Sequence, residues 1–321
     1  MFNPFNLFRP IKEQSCLLDA AQHVLNEFLG TEAARNTALQ SIHGGTSAAT
    51  LYRFSHAGQM YVLRLLAPMQ SHSKHHHEVR LTRAASRIGV GPRVHFIAAD
   101  ESAVVYDYTP GEILSLADIQ KTPVMERLAQ RLSRLHSAKV KMPIAASPFE
   151  RFYGFEQRVI EDGRPWPQEM HRASEYVMRL AKDLEQGMLH PCHLDLHARN
   201  IILTPAGDPV FIDWVNGGLS DPAFDIATFL VFLGLSNTHR DHFLASYQES
   251  MDKTLDLARV ELLMPIRPFV AAASCLVNRP PDISLSYLEQ VLSRDEQPGH
   301  ELFSLPHYAR PDWPTWKWGL I

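Results

Sequence analysis

Residues 193–200 read His-Leu-Asp-Leu-His-Ala-Arg-Asn, and this stretch decides how the rest of the chain is interpreted. It matches the pattern H-x-D-L-x-x-x-N at every fixed position. The carboxylate of Asp195 can accept the proton of an attacking hydroxyl group. Asn200 offers an amide oxygen, a ligand type that suits Mg²⁺. The stretch therefore carries a candidate base and a candidate metal ligand at a fixed spacing.

A second carboxylate, Asp213, closes an apolar run. Residues 200–203 and 209–212 are short apolar runs that flank the turn sequence Thr-Pro-Ala-Gly-Asp, so we predict a β-hairpin. A carboxylate at the end of a buried strand needs a partner, and a metal that bridges two phosphates is one. The two motifs in this order are typical of the catalytic and metal-binding loops of kinases. The alternative is that both carboxylates are buried and only cap turns.

With Asp-Pro-Ala-Phe-Asp at residues 221–225, these motifs resemble the aminoglycoside phosphotransferase and choline kinase superfamily. The resemblance covers roughly residues 40–235. It implies an α+β, two-lobed protein-kinase-like fold, with a small N-terminal antiparallel sheet lobe, one packed helix in that lobe, and a larger helical C-terminal lobe. It also implies ATP and Mg²⁺ as cofactors. The implied roles are base for Asp195, metal ligand for Asn200 and Asp213, and support of the catalytic loop for His193 and Asp225.

Two lobes are expected from the change of pattern along the chain. Residues 1–108 predict a nucleotide-binding lobe, and residues 109–321 predict a helical lobe that carries the catalytic loop and the acceptor site. The elements predicted in the first lobe are a helix at about 17–29, strands at 50–54 and 60–66, a helix at 78–88, and strands at 94–98 and 103–108.

Small residues precede the first of these strands. Such residues let backbone N–H groups approach phosphate oxygens, and the Gly-Gly start resembles a loop of choline and thiamine kinase-like members. The strand at 104–108 is predicted to be the adenine hinge. The candidate nucleotide-binding residues in these two segments are Gly44, Gly45, Thr46, Ser47, Tyr106 and Tyr108.

Arg64 lies in the middle of an apolar strand, where many kinases carry a lysine. A buried cation there needs an anion, either a phosphate or a carboxylate. Glu78, on the next predicted helix, is the candidate carboxylate partner. Choline and thiamine kinase-like proteins often show an arginine in this context, so the resemblance implies a working nucleotide site.

The acceptor is predicted to be the hydroxyl group of a small molecule. A choline-, thiamine- or amino-alcohol-like compound is favoured, and an aminoglycoside is possible. Trp313, Trp316 and Trp318 form a candidate acceptor pocket, because aromatic faces can surround a quaternary ammonium. The alternative is that these tryptophans only attach the C-terminus to the helical lobe.

Composition bears on location and partners. The chain has 31 basic and 35 acidic residues and a net charge of -4, so we expect neither nucleic acid nor a membrane as a partner. The apolar run at residues 226–235 is too short to span a bilayer. Three widely spaced cysteines and no apparent signal peptide predict a cytoplasmic protein. The oligomeric state is left open.

Two alternatives to a kinase belong to other classes of protein. The first is a nucleotide-binding pseudokinase or scaffold, which Arg64 in place of lysine would suit. The second is a metal-dependent hydrolase that uses His193, Asp195 and His197. His72 and the histidines at residues 75–77 are interpreted as a solvated loop before the Glu78 helix rather than as a metal site.

Overall fold

The computed structural model describes residues 11–42, 49–66, 71–184, 187–233, 237–251 and 255–278. Gly44, Gly45, Thr46 and Ser47 lie outside these residues, as do Trp313, Trp316 and Trp318.

The strands and helices are numbered in chain order. The strands are β1 (Gln40–Ile42), β2 (Thr50–His56), β3 (Gln59–Leu65), β4 (Val94–Ile97), β5 (Ala103–Asp107), β6 (Glu112–Ile113), β7 (His190–Cys192), β8 (Ile201–Leu203), β9 (Pro209–Phe211) and β10 (Gly218–Ser220). The helices are α1 (Ile11–Leu29), α2 (Thr31–Arg35), α3 (His72–Ile88), α4 (Leu116–Ile119), α5 (Thr122–His136), α6 (Pro148–Glu161), α7 (Gln168–Asp183), α8 (Pro222–Leu233), α9 (Asn237–Ser250), α10 (Leu257–Leu263) and α11 (Ile266–Asn278).

The chain divides into two compact units. The sheet unit comprises Met1–Ile113, Val140–Pro143 and Ile201–Val215, and the helical unit comprises the remainder. The hairpin β8–β9 thus counts with the sheet unit, whereas the division made from the sequence assigns everything after residue 108 to the second lobe. The lobe boundary at residue 108 stays a prediction.

The sheet unit is built on an antiparallel sheet in the order β1-β2-β3-β5-β4. Strands β2 and β3 are joined at Ala57 and Gly58, which have φ of 49° and 78°. Two positive φ angles are typical of the tight turn whose twist matches that of a hairpin. One face of the sheet buries Phe54 and Leu63 against Leu25 of α1. A separate sheet of three strands, in the order β6-β8-β9, contains the predicted hairpin β8–β9.

The helical unit consists of helices that pack in pairs, α5 with α9, α6 with α11 and α8 with α10. The short antiparallel pair β7–β10 aligns Cys192 with Gly218 and leads the chain into residues 193–200. The predicted fold class is confirmed, with a small antiparallel sheet packed by helices and a larger helical part.

Two helix starts differ from the prediction. Helix α1 begins at Ile11 rather than at residue 17, and α3 begins at His72 rather than at Glu78. The histidine tract is therefore helical, and the interpretation as a loop was wrong. Because α3 is helical through this tract, His75 and Glu78, which are three residues apart, lie on the same face of the helix, and both side chains are buried.

Residues 257–277 are long and apolar enough to cross a membrane by length and composition, although no membrane-spanning segment was expected from the sequence. Within the described residues, 61% of the most apolar window is buried inside the protein, as in a core helix. The segment is also divided, since α10 ends at Leu263 and α11 begins at Ile266. Its burial favours packing within the protein.

Position 111 accepts only a residue without a side chain, and glycine is found there. Its φ is 141°, and a Cβ atom there would overlap the carbonyl oxygen of Leu203. We expect Gly111→Ala to lower the free energy of unfolding by about 2 kcal/mol or more, as measured by urea denaturation. Gly154→Ala, within α6 and with open space around it, is the control, and should raise that energy by about 0.5–1 kcal/mol. Equal effects of the two changes would contradict the crowding at Gly111.

Candidate active site

The loop after β7 has a strained backbone next to Asp195. Leu194 has φ of 60°, a left-handed conformation that non-glycine residues adopt at a cost. Asp225, fully buried at the start of α8, accepts the backbone N–H of His193 at 2.7 Å and that of Leu194 at 2.5 Å. One carboxylate therefore holds the backbone N–H groups of the two residues that precede Asp195, and the role of Asp225 in supporting catalysis stays a prediction.

Asp225 is itself held by a buried hydrogen-bond chain. Its Oδ2 lies 3.1 Å from Nε2 of His136, and Nδ1 of His136 lies 2.7 Å from the hydroxyl of Tyr247. A consistent proton arrangement has Nε2–H donating to Asp225 and the Tyr247 hydroxyl donating to Nδ1. Burial first, and then the nearby acidic groups, raise the pKa of Tyr247, so the phenol stays protonated as a donor.

Loss of the Tyr247 hydroxyl should weaken this buried chain of hydrogen bonds. We expect Tyr247→Phe to lower the free energy of unfolding by about 1–2 kcal/mol, because buried His136 loses a partner. Tyr153→Phe, in the same unit, is the control and should change stability by under about 0.5 kcal/mol. Thermal and urea denaturation measure both. A wild-type stability for Tyr247→Phe would show that His136 needs no donor at Nδ1.

The carboxylate of Asp195 is mostly buried and hydrogen-bonded at both oxygens. Oδ1 accepts from Nη2 of Arg267, and Oδ2 accepts from the side-chain amide of Asn216 at 3.0 Å. Burial opposes ionisation, but the charges of Arg267 and of His197, whose Nε2 lies 3.8 Å away, outweigh it. The pKa of Asp195 is therefore held well below its usual range, and the group is ionised at neutral pH.

Asn200 is oriented by the same loop. Its Nδ2 donates to the backbone oxygen of Asp195 at 2.9 Å and lies 3.3 Å from Nε2 of His197. Because the amide nitrogen is engaged in this way, the opposite end of the side chain presents the oxygen. That oxygen is the atom a hard cation such as Mg²⁺ would take.

In the sheet unit, strand alternation places Arg64 on the face opposite Leu63 and next to α3. Nε of Arg64 donates to Glu78 at 2.7 Å, and Nη2 lies 3.1 Å from Oδ1 of Asp213. Burial alone would lower the pKa of Arg64, but Asp213 and Glu78 raise it above its ordinary value. The predicted Arg64–Glu78 pair is present as a contact, and its role in nucleotide binding stays a prediction.

Asp213 is in strained backbone, with φ of 61°. Oδ1 faces Arg64, so Oδ2 is the oxygen that it can offer to a metal. The carboxylate of Asp213 and the amide oxygen of Asn200 are donors of the kind that Mg²⁺ prefers, and each is oriented within its own unit. The two residues fit that ion in chemistry.

The predicted hinge strand corresponds to β5. The phenol of Tyr106 lies among Arg64, Glu78 and Asp213, and burial first raises its pKa to about 12, with Arg64 opposing the shift. The ring of Tyr108 lies under Arg53, 5.4 Å from the guanidinium carbon. The backbone N–H of Tyr108 donates to Met60, so it already has a partner inside the sheet unit.

Among the described residues, His193, Asp195 and His197 do not form a group of ligand atoms close enough together to hold a metal ion. Within the described ranges, the close group of potential ligands is His136, Cys192 and Asp225. His136 and Asp225 use the same atoms for hydrogen bonds to each other and to neighbouring groups. Burial raises the pKa of the Cys192 thiol well above its ordinary value. We interpret this group as structural.

Sequence reasoning missed three residues around Asp195. Arg267 is the lone charged residue in the apolar stretch 264–277, and a charge in such a position needs a partner. That signal could have identified it. Arg151 and Asn216 carry no comparable signal, because an arginine beside Glu150 and an asparagine before two glycines are ordinary features of helices and turns.

Comparison with known proteins gives the family. Residues 38–263 match the family model described as "Phosphotransferase enzyme family". Protein LicA of Haemophilus influenzae is 26% identical over 218 residues, which are 66% of this chain and 63% of LicA. Thiamine kinase of Escherichia coli is 26% identical over 192 residues, which are 59% of this chain and 64% of that protein. The chain thus spans less than two thirds of the length of these curated relatives.

Solved structures share the fold. A choline/ethanolamine kinase family protein from Mesorhizobium loti has a TM-score of 0.67 and 17% identity, covering 86% of this chain and 95% of its own. Choline kinase LicA from Streptococcus pneumoniae has a TM-score of 0.68 and 15% identity, covering 86% and 97%. Identities this low support the architecture alone.

Proposed function

The chain belongs to the phosphotransferase enzyme family, and on that premise we propose that it is an ATP-dependent kinase that phosphorylates a hydroxyl group of a small molecule. Asp195 carries the proposal. It is an ionised, mostly buried carboxylate in the H-x-D-L-x-x-x-N loop, and Asp225 accepts the backbone N–H groups of the two residues before it. Phosphoryl transfer depends mainly on such positioning, because the side chains perform little covalent chemistry in this reaction.

In the proposed reaction, the acceptor oxygen attacks the γ-phosphorus of ATP. The bond to the β–γ bridging oxygen breaks, ADP leaves, and the hydroxyl proton passes to Asp195. Asn200 and Asp213 are the proposed Mg²⁺ ligands, and the ion would neutralise charge on the phosphates. Arg64, set by Glu78, is proposed to bind phosphate oxygens, with Tyr106 beside it.

The ion pairs of Arg64 fit both a kinase and a nucleotide-binding scaffold. Arg64 contacts Glu78 and Asp213, and a buried cation needs such partners whether or not the protein transfers phosphate. A cytoplasmic location, where ATP is abundant, belongs to the same proposal. Among the described residues, no disulfide joins Cys16, Cys192 or Cys275, which suits a reducing compartment.

The test is transfer of a radiolabelled γ-phosphate from Mg·ATP to a panel of acceptors. The panel contains choline, ethanolamine, thiamine, homoserine and several aminoglycosides, and Asp195→Asn is the blank. Acceptor-dependent transfer that is lost in the variant supports the proposal. Binding of Mg·ATP without transfer to any hydroxyl compound would favour the scaffold, and absence of nucleotide binding would contradict both.

A further inference from the structure

The two oxygens of the Asp195 carboxylate are held by donors of different kinds. Oδ1 accepts from the guanidinium group of Arg267, which carries a positive charge, and it lies 3.8 Å from Nε2 of His197. Oδ2 accepts from the side-chain amide of Asn216 at 3.0 Å, and this amide is neutral. The two oxygens are therefore not equivalent as acceptors of a proton.

This difference decides which oxygen of Asp195 is easier to protonate. A proton on Oδ1 would lie against the N–H groups of Arg267 and would weaken a charge-assisted hydrogen bond, which is roughly twice as strong as a neutral one. A proton on Oδ2 leaves that bond in place, and a protonated oxygen still has a lone pair for the Asn216 amide. Protonation therefore costs less at Oδ2 than at Oδ1.

The amide of Asn216 is held in place through its own backbone. Asn216 ends the one-turn 3₁₀ helix Trp214–Asn216, and its backbone oxygen accepts from Nη2 of Arg151 in α6. A side chain whose backbone is anchored by a further hydrogen bond has fewer positions to adopt, so the amide stays directed at Oδ2. The side chain of Asp195 is 14% exposed, so a bound molecule can still reach it.

We propose that Asn216 is a positioning residue for the transfer reaction, and that its amide orients Asp195 so that Oδ2 takes the proton of the acceptor hydroxyl. The inference rests on the proposed kinase function. In the transfer step, the O–H bond of the acceptor breaks and its proton passes to Oδ2. The acceptor oxygen forms its bond to the γ-phosphorus as ADP leaves, and Arg267 keeps its hydrogen bond to Oδ1.

The test compares two replacements of Asn216. Asn216→Asp keeps the shape of the side chain but exchanges the amide donor for a second carboxylate beside Oδ2, whereas Asn216→Ala removes the amide altogether. We expect each variant to lower kcat about 10- to 100-fold, because the base is no longer oriented. The KM for ATP and the affinity for Mg·ADP should stay within about 3-fold of wild type.

The matched control is Asn36→Ala. It also removes an asparagine amide that donates a hydrogen bond, but to the backbone oxygen of Glu32 in the sheet unit, and kcat should stay near wild type. Wild-type kcat in Asn216→Asp or in Asn216→Ala would overturn the inference, as would an equal loss of kcat and of nucleotide affinity. Absence of transfer by the wild-type protein would contradict the proposed function and the inference with it, whereas transfer that survives in Asn216→Ala contradicts the inference alone.

Titration of the Asp195 carboxyl group, followed by ¹³C NMR, tests the same contact without turnover. In Asn216→Asp, two like charges would lie side by side, so the carboxyl pair should take up a proton at a pH about 1 to 2 higher than Asp195 does in the wild-type protein. The acid limb of kcat/KM should move in the same direction.

The remaining charged groups around Asp195 do not change between wild type and variant, so a shift reports on position 216. These groups are Arg267 on α11, Arg151 on α6, and His193 and His197 in the loop of Asp195, and the acids that act on Arg151 include Asp225 and Glu150. Titration of the Asp195 carboxyl at the wild-type pH in Asn216→Asp would overturn the inference even if kcat falls, because position 216 would then not act on Oδ2.

Discussion

Replacement of Asp195 by asparagine should lower kcat by about 10²- to 10⁴-fold, because the acceptor hydroxyl loses its base. Asparagine has nearly the same shape and can keep a hydrogen bond to the Asn216 side chain, so the loop should stay in place. Nucleotide affinity, measured by titration of Mg·ADP, should remain within about 3-fold of wild type. The comparison thus separates proton transfer from nucleotide binding.

The control for Asp195→Asn is Asp221→Asn. Asp221 pairs with Arg259 at 2.6 Å in the same unit, so its loss also breaks an Asp–Arg pair but leaves the proposed base untouched. We expect Asp221→Asn to cost stability while kcat stays near wild type. A similar fall of kcat in both variants, or a collapse of nucleotide affinity in Asp195→Asn, would contradict the base assignment.

The pH dependence of stability and activity in the wild-type protein offers a further check on Asp195. Because the pKa of Asp195 is depressed in the folded protein, its stabilising contribution is present above the unfolded pKa of about 3.9 and is lost as pH falls through the folded value. Between about pH 5 and 8 the carboxylate of the free enzyme stays ionised, so its titration should add no acid limb to kcat/KM in that range.

Replacement of Arg64 by methionine should have the second large effect. Glu78 is 4% exposed and would lose its cation, as would Asp213, so the free energy of unfolding should fall by about 3–5 kcal/mol. Under the proposed function, the KM for ATP should also rise about 10-fold or more, because a donor to phosphate oxygens is gone. Urea denaturation and steady-state kinetics measure the two effects.

A double variant separates these effects. Arg64→Met combined with Glu78→Gln removes one of the two uncompensated charges and should recover part of the stability, without restoring the KM for ATP. Arg53→Met, on the neighbouring strand β2 with exposed contacts to Gln40 and Tyr108, is the control and should cost about 1 kcal/mol or less. Wild-type ATP kinetics in the double variant would show that Arg64 is structural only.

Local signals explain why much of the molecule was predictable. The β2–β3 hairpin follows from two apolar runs around Ala57 and Gly58, and the β8–β9 hairpin follows from a strong turn sequence. The position of Arg64 in a buried strand predicted an anionic partner, and the family resemblance mostly identified Glu78 as that partner; the contact is present at 2.7 Å. The histidine tract was misinterpreted because consecutive histidines give no clear helix signal in the sequence. In the structure the tract forms the first turns of α3, and His75 is buried.

The sequence by itself therefore determined the fold class, the catalytic-loop motif and the residues that chemistry singles out by type and spacing. Tertiary structure alone decided what surrounds Asp195. Arg151, Asn216 and Arg267 come from separate elements, with Arg267 lying 72 residues beyond Asp195 along the chain. Helical periodicity states which face is buried but not which helix it meets, so contacts over such separations arise only when α6 and α11 pack.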